Sequence, residues 1–265
     1  MYPAQTKVES KPDSAFSRME LIVVMAVVAV LLVIALSAQA KPRNRVYQMM
    51  DVSNHRRIMQ AMISFAGDHS DILPNPCWGT VQKGWAYGAS FPVGGGGSLA
   101  AYEAVYPQQL ASVTNGQLFS YLQDPRVFMC PADRPSNPLF WQRNVYITSY
   151  TWNAAVDGYG SLSGSTPSAY KLSQFRPDAI LEWEEDDRMS FFWNDASSYP
   201  DESISVRHGT NNISFGMFGG GVVTLSYAAW YGNSLAGAAG SRGSGILGSL
   251  LPNRLWCNPG QANGL

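Results

Sequence analysis

From Leu21 to Ala40 the chain reads LIVVMAVVAVLLVIALSAQA, without a charged residue. An α-helix rises about 1.5 Å per residue, so this run is long enough to cross a hydrocarbon core of about 30 Å. In lipid only a helix satisfies its own backbone, so the many Val and Ile residues do not argue against helix there. Glu20 stands one position before the run, where a carboxylate is costly unless it has a partner or a function. Three readings fit. One is a cleaved secretory signal peptide, with Ser37-Ala38-Gln39-Ala40 as the small-residue cut site. The second is an uncleaved signal anchor. The third gives Glu20 a role. The signal peptide is disfavoured by the length of the run and by an acid where such peptides carry Lys or Arg.

The chain has 265 residues, of which 46% are hydrophobic. Behind a leader and a membrane helix, roughly 200 residues remain, enough for one domain. The net charge is −1 and no basic stripe occurs, so no nucleic-acid partner is expected. Only 14% of residues are charged, and Trp, Tyr, Gly, Ser and Asn are plentiful. That composition suits a loop-rich, β-leaning head on the outside of a cell.

Residues 1–14 are polar and hold two prolines, as a removable leader would. After the apolar run, Lys41 to Arg45 form a basic cluster suited to a headgroup boundary, and Pro42 is expected to kink the helix without ending it. Val46, Met50, Ile58, Met62 and Phe65 then recur at near-helical spacing, which predicts a helix running to about Ala66. His55, Arg56 and Arg57 are expected on its wet face, and Gly67 as its left-handed cap. Short helices are predicted at Leu99–Tyr106 and Asn115–Leu122, and strands at Val127–Pro131, Val145–Trp152, Ile180–Trp183, Ile213–Phe218 and Val222–Leu225. Gly219 to Gly221 would turn the last hairpin. The Gly/Ser/Ala-rich stretch from Ser234 to Gly248 reads as loop, with Leu247–Leu251 and Trp256 packing back on the head. Helix followed by spaced strands points to α+β, with the helix laid on an antiparallel sheet whose other face can stay wet.

The block Ala15-Phe16-Ser17-Arg18-Met19-Glu20-Leu21 resembles a type IV prepilin cleavage site. The resemblance implies cutting between Ala15 and Phe16 by a prepilin peptidase, which also N-methylates Phe16. It implies that Glu20 pairs with the N-terminal amine of a neighbouring subunit, fixing the register between helices. Ala15 stands where the family usually has Gly. The head is similar to a large bacterial family of prepilin-like proteins carrying a His followed, after nine residues, by Asp-Gly. The matching pieces, in the family's order, lie at Ile58–Pro74, Asn115–Asp133, Ser149–Asn153, Leu172–Asp186 and Arg207–Val222. His208 is present, but counting on gives Phe218-Gly219, so Phe218 replaces the family's Asp. The two resemblances imply a pilin-like α+β protein. It would have a leader at 1–15, a helix at 16–66 that spans the inner membrane over about 21–40, and an extracytoplasmic head at 67–265. Its partners would be the peptidase and other pilin-like subunits, as in a type II secretion pseudopilin.

The sequence has no Gly-x-Ser-x-Gly elbow, His-Glu-x-x-His pair or P-loop, so no enzyme is expected. With three histidines and no CxxC, a zinc or His-rich site is not expected, nor any other cofactor. His208 reads as a structural hydrogen bonder. The acidic group around Glu184, Asp186 and Asp187 offers hard oxygen ligands for calcium, against the plainer reading of a solvated strand end. The same group would serve a hydrolase. The cysteines Cys77, Cys130 and Cys257 allow either three thiols or one bridge, and Cys77 with Cys130, both in Pro-containing loops, is the pair expected if one forms. Trp78, Trp85, Trp141, Trp193 and Trp230 suggest a rival function, a membrane-anchored module binding carbohydrate through exposed aromatic rings, although tryptophans more often fill cores.

Overall fold

A computed structural model describes residues 17–162, 167–186, 188, 193–202, 204–234, 253–262 and 264, with the side chains of 34–43 and 231–234 outside the described set. The expected leader, the cut site at Ala15 and Phe16, the Gly-rich stretch 235–248 and Asp187 all lie outside it. Contacts divide the chain into a unit of residues 1–43 and a unit of residues 44–265.

Helix α1 spans Arg18–Asp68. It opens on a capping box: the Ser17 N–H donates to Glu20 Oε2 at 2.8 Å, and the Glu20 N–H donates to Ser17 Oγ at 3.2 Å. The apolar side chains that follow are exposed through Val33, with Leu21 at 57% and Ile22 at 63%. Among the described residues no helix is long and apolar enough to cross a membrane. Of the run 21–40, side chains are described only as far as Val33, a helical length of about 20 Å against a core of about 30 Å.

From residue 44 onward α1 belongs to the head. Ile58, Met59, Met62 and Phe65 are buried there, and burying such a side chain contributes about 1.5–3 kcal/mol. The buried stripe is rotated from the one expected: Val46 and Met50 are half exposed, whereas Asp51 and His55 are fully buried. His55 is therefore not on the wet face, because it lies one turn below Met59 and faces the sheet. Gly67 is helical, and the left-handed residues at the helix exit are Ser70 and Asp71, with the Asp71 N–H bonded to Ala66 O at 2.8 Å.

Helix α2 spans Leu99–Val113 and is capped by Ser98, whose hydroxyl accepts from the Ala101 N–H. It runs a full seven residues beyond the expected end, straight through Pro107. The short α3 spans Phe119–Leu122. The expected strand at Val127–Pro131 is instead a 3-10 turn at Pro125–Phe128, started by Pro125 and capped by the Asp124 carboxylate.

The strands are β1 (Tyr150–Asn153), β2 (Ile180–Glu184), β3 (Ser197–Ser198), β4 (Ile213–Met217) and β5 (Val222–Leu225), and α4 (Tyr227–Ser234) follows. They form one sheet in the order β3-β1-β2-β4-β5. The fold is α+β as expected, but the sheet is mixed: β1 pairs β3 in parallel, and the other pairs are antiparallel. Tyr150 lies opposite Glu184, Trp152 opposite Glu182, and Glu182 opposite Gly216, so these residues share one face. That face meets α1. A Cβ on Gly216 would lie 2.7 Å from Met59 Sδ, which shows how closely helix and sheet approach. The opposite face is not wet. Trp183 and Phe215 pack there against Trp230 of α4, at ring separations of 4.9 and 5.2 Å, with Leu255 completing the cover. Trp256 is also buried, as expected.

Phe218 directly follows β4 and stacks on Phe175 at 4.0 Å, with the rings 4° from parallel. Gly219 follows where only a missing side chain fits, since a Cβ would come 2.7 Å from Pro177 O. Phe218→Asp would place a carboxyl against Phe175 in the core. It is expected to destabilise the purified protein by about 3 kcal/mol or more, read as a lower denaturant midpoint at unchanged slope. An unchanged midpoint would contradict this packing.

Candidate functional site

The sheet face under α1 is not purely apolar. Asp51 and His55 sit one turn apart on α1 and point into it. The Tyr150 hydroxyl donates to Asp51 Oδ1 at 2.9 Å, and the Tyr150 and His55 rings lie 4.5 Å apart. His55 Nδ1 lies 2.6 Å from Glu182 Oε2, and Trp152 Nε1 donates to the other Glu182 oxygen at 3.3 Å. Burial pushes the His55 imidazolium down, but the carboxylates of Asp51 and Glu182 outweigh it and hold the group up at about 9. Burial raises the Glu182 carboxyl and His55 opposes that shift, so the two share one short buried hydrogen bond.

Three further segments reach the same place. After the 3-10 turn, Cys130 is fixed by its N–H, which donates to Ser149 Oγ at 3.0 Å. Glu184 projects from the end of β2. His208 arrives on the loop before β4, and its Nε2 lies 3.2 Å from Cys130 Sγ, 3.8 Å from Asp51 Oδ2 and 3.9 Å from Glu184 Oε2. One ligand atom from each of Asp51, Cys130, Glu184 and His208 lies within 4.8 Å of all the others. Burial, and then the Asp51 carboxylate, lift the Glu184 carboxyl to about 8. Burial lifts the Cys130 thiol and lowers the His208 imidazolium. Asp51 Oδ2, Glu184 Oε1 and His55 Nε2 are buried without a hydrogen-bond partner among the described residues.

An ionic frame holds this group in place. Arg143 and Asp133 form a buried two-point pair at 2.7 and 3.1 Å, and Arg143 also lies 4.2 Å from the Trp193 ring. Ser149 Oγ donates to Asp133 Oδ2 at 2.8 Å. Arg207 bridges Asp133 and Glu184 at 3.5 Å each. Burial would raise the Asp133 carboxyl, but Arg207 and Arg143 outweigh it and hold it below the usual carboxylate value.

Sequence-based expectations are only partly gathered here. His208 is in the cluster and Gly219 is in the hairpin. Glu184 is in the cluster and Asp186 pairs with Arg188, while Asp187 lies outside the described residues; Glu184 and Asp186 are both buried, so the plainer reading of a solvated strand end does not hold for them. Cys77 and Cys130 do not bridge: all three cysteines are free thiols. Cys77 Sγ accepts from the Ala86 N–H at 3.5 Å, while Cys130 faces His208. Trp85, Trp193 and Trp230 are fully buried, which removes them from any exposed sugar platform. Asp51, Asp133, Arg143 and Arg207 are not among the expected site residues, and His55 is expected on the wet face. Asp51 and His55 do carry a signal, two ionisable residues spaced i, i+4 directly above an apolar stripe.

Asp133→Ala leaves the buried Arg143 guanidinium without its carboxylate and Arg207 with Glu184 alone. It is expected to cost about 3–5 kcal/mol in a denaturant titration; a loss within about 0.5 kcal/mol would mean that the pair is an ornament of the fold. Comparison of the chain with family models, curated proteins and solved structures gives no match.

Proposed function

We propose that this chain is a pilin-like structural subunit, most like a type II secretion pseudopilin. It is processed by a prepilin peptidase, anchored in the inner membrane, and incorporated into a filament of like subunits. The observation that carries this reading is the order of three features: a prepilin-type block at Ala15–Leu21, an uncharged run at Leu21–Ala40, and a helix whose apolar side chains stand exposed from Leu21 to Val33. A surface of that kind needs lipid or other helices as its solvent. In this reading the same surface serves first in the membrane and then in a bundle of like helices.

Glu20 fits a double role. Within one chain its carboxylate caps the helix through the Ser17 N–H, yet it remains exposed. Cleavage after Ala15 would create a positive amine on Phe16, the residue next to Ser17. The Glu20 carboxylate of one subunit could then accept the amine of another, offsetting the desolvation of both charges.

Two experiments bear on this reading. The N-terminal peptide of the protein taken from its native membrane is expected to begin with N-methylated Phe16. A chain beginning after Ala40, or an intact Met1, would contradict it. Glu20→Ala is expected to abolish incorporation into filaments while leaving the head folded, and normal incorporation of that variant would remove the assigned role of Glu20.

A further inference from the structure

We infer that Asp51, Cys130, Glu184 and His208 form a structural zinc site that staples α1 to the head. Their donor atoms are a carboxylate oxygen, a thiolate sulfur, a second carboxylate oxygen and an imidazole nitrogen. Zinc takes such mixed sets tetrahedrally, at about 2.0–2.3 Å, which places ligands about 3.4 Å from one another. The separations from His208 Nε2 are 3.2, 3.8 and 3.9 Å, and no pair exceeds 4.8 Å. The His208 separations lie within about 0.5 Å of that spacing, and the widest pair must contract by at most about 1.4 Å to close the shell. A thiol and an imidazole exclude calcium and magnesium as the preferred occupant.

Two observations besides proximity point to a cation. Asp51 Oδ2 and Glu184 Oε1 are buried with no donor among the described residues. In a network held only by protons, Cys130 would hydrogen-bond Glu184, and Asp51 Oδ2 would keep only the His55 and His208 imidazole nitrogens at 3.7 and 3.8 Å, beyond hydrogen-bond range. Bound zinc would displace the thiol proton, and the shell of two carboxylates, one thiolate and one zinc would carry a single negative charge. Arg207, 3.5 Å from Glu184, balances it.

The second shell is in place as well. Tyr150 holds the other Asp51 oxygen, and Ser149 Oγ holds the Cys130 backbone. A cavity of about 690 Å³, lined by Asn54, Met129 and Asp133 among others, reaches Cys130 from the surface at Arg126 and Pro135. Four protein ligands leave no open coordination position, so the site would be structural and not catalytic. Its ligands come from α1, the segment after the 3-10 turn, the end of β2 and the loop before β4. Binding would therefore add to folding stability by joining segments that are far apart in sequence. This inference does not depend on whether the chain polymerises.

The test uses the full chain, purified without a metal-affinity step. Elemental analysis after incubation with zinc and desalting is expected to give about one zinc per chain. Chelation should lower the thermal midpoint, and zinc but not calcium should restore it. Cys130→Ser and His208→Ala are each expected to weaken zinc binding at least about tenfold. Asp51→Asn, which keeps the shape of the side chain, guards against loss by misfolding and should also weaken it, with circular dichroism unchanged. Replacement by cobalt should give a thiolate-to-metal absorption band that Cys130→Ser abolishes. No stoichiometric zinc in the folded wild type, restoration by calcium alone, or zinc retained undiminished in all three variants would each overturn the site.

Discussion

The contact on which the head depends is the buried pair between His55 of α1 and Glu182 of β2, 2.6 Å apart and out of reach of water. Charges buried in this way persist only if they are paired and hydrogen-bonded. The rest of the interface follows from that demand. Asp51 must lie one turn before His55, Tyr150 and Trp152 must supply donors from β1, and Gly216 must lack a side chain so that α1 can settle on the sheet. The apolar stripe of Ile58, Met59, Met62 and Phe65 provides the driving force. The polar pair selects one register of helix on sheet among those that the stripe alone would accept.

Around this pair the fold is layered, with α1 on one sheet face and Trp230 and Leu255 on the other. Because both faces are covered, β1 and β2 are buried along their whole lengths. That also explains why the tryptophans are interior. A head of this size with few charges fills its core with aromatic rings, and a connected group of its buried charges, Asp51, His55, Asp133, Arg143, Glu182, Glu184 and Arg207, lies under α1, while Asp157, Glu185, Asp195 and Asp201 are buried elsewhere.

Parts of this were legible in the sequence. Ile180–Glu184, Ile213–Met217 and Val222–Leu225 are dense in β-branched and aromatic residues, and the glycines between the last two mark their turn. The strand expected at Val127–Pro131 failed because Pro125 and Asp124 favour a tight turn over pairing, and local capping outweighed apolar content. The candidate site was legible only in fragments. His208 and Glu184 drew notice through a family pattern and an acidic cluster, but Asp51 and Cys130 are more than 50 positions from either, and no local spacing encodes their meeting. His55 is expected to be wet because polar residues on a helix usually are. Its i, i+4 relation to Asp51, above the apolar stripe, was the clue that sequence alone did supply.

The filament reading and the zinc reading concern different halves of the molecule, and both assign work to α1. Its first part carries exposed apolar side chains from Leu21 to Val33, and its second part is held in the head by polar contacts as well as by packing. The most direct test of the central claim is a double-mutant cycle between His55→Gln and Glu182→Gln, read from denaturant unfolding. The account predicts a coupling energy of about 1–3 kcal/mol. Additive effects, within about 0.3 kcal/mol, would mean that the pair does not hold the helix to the sheet.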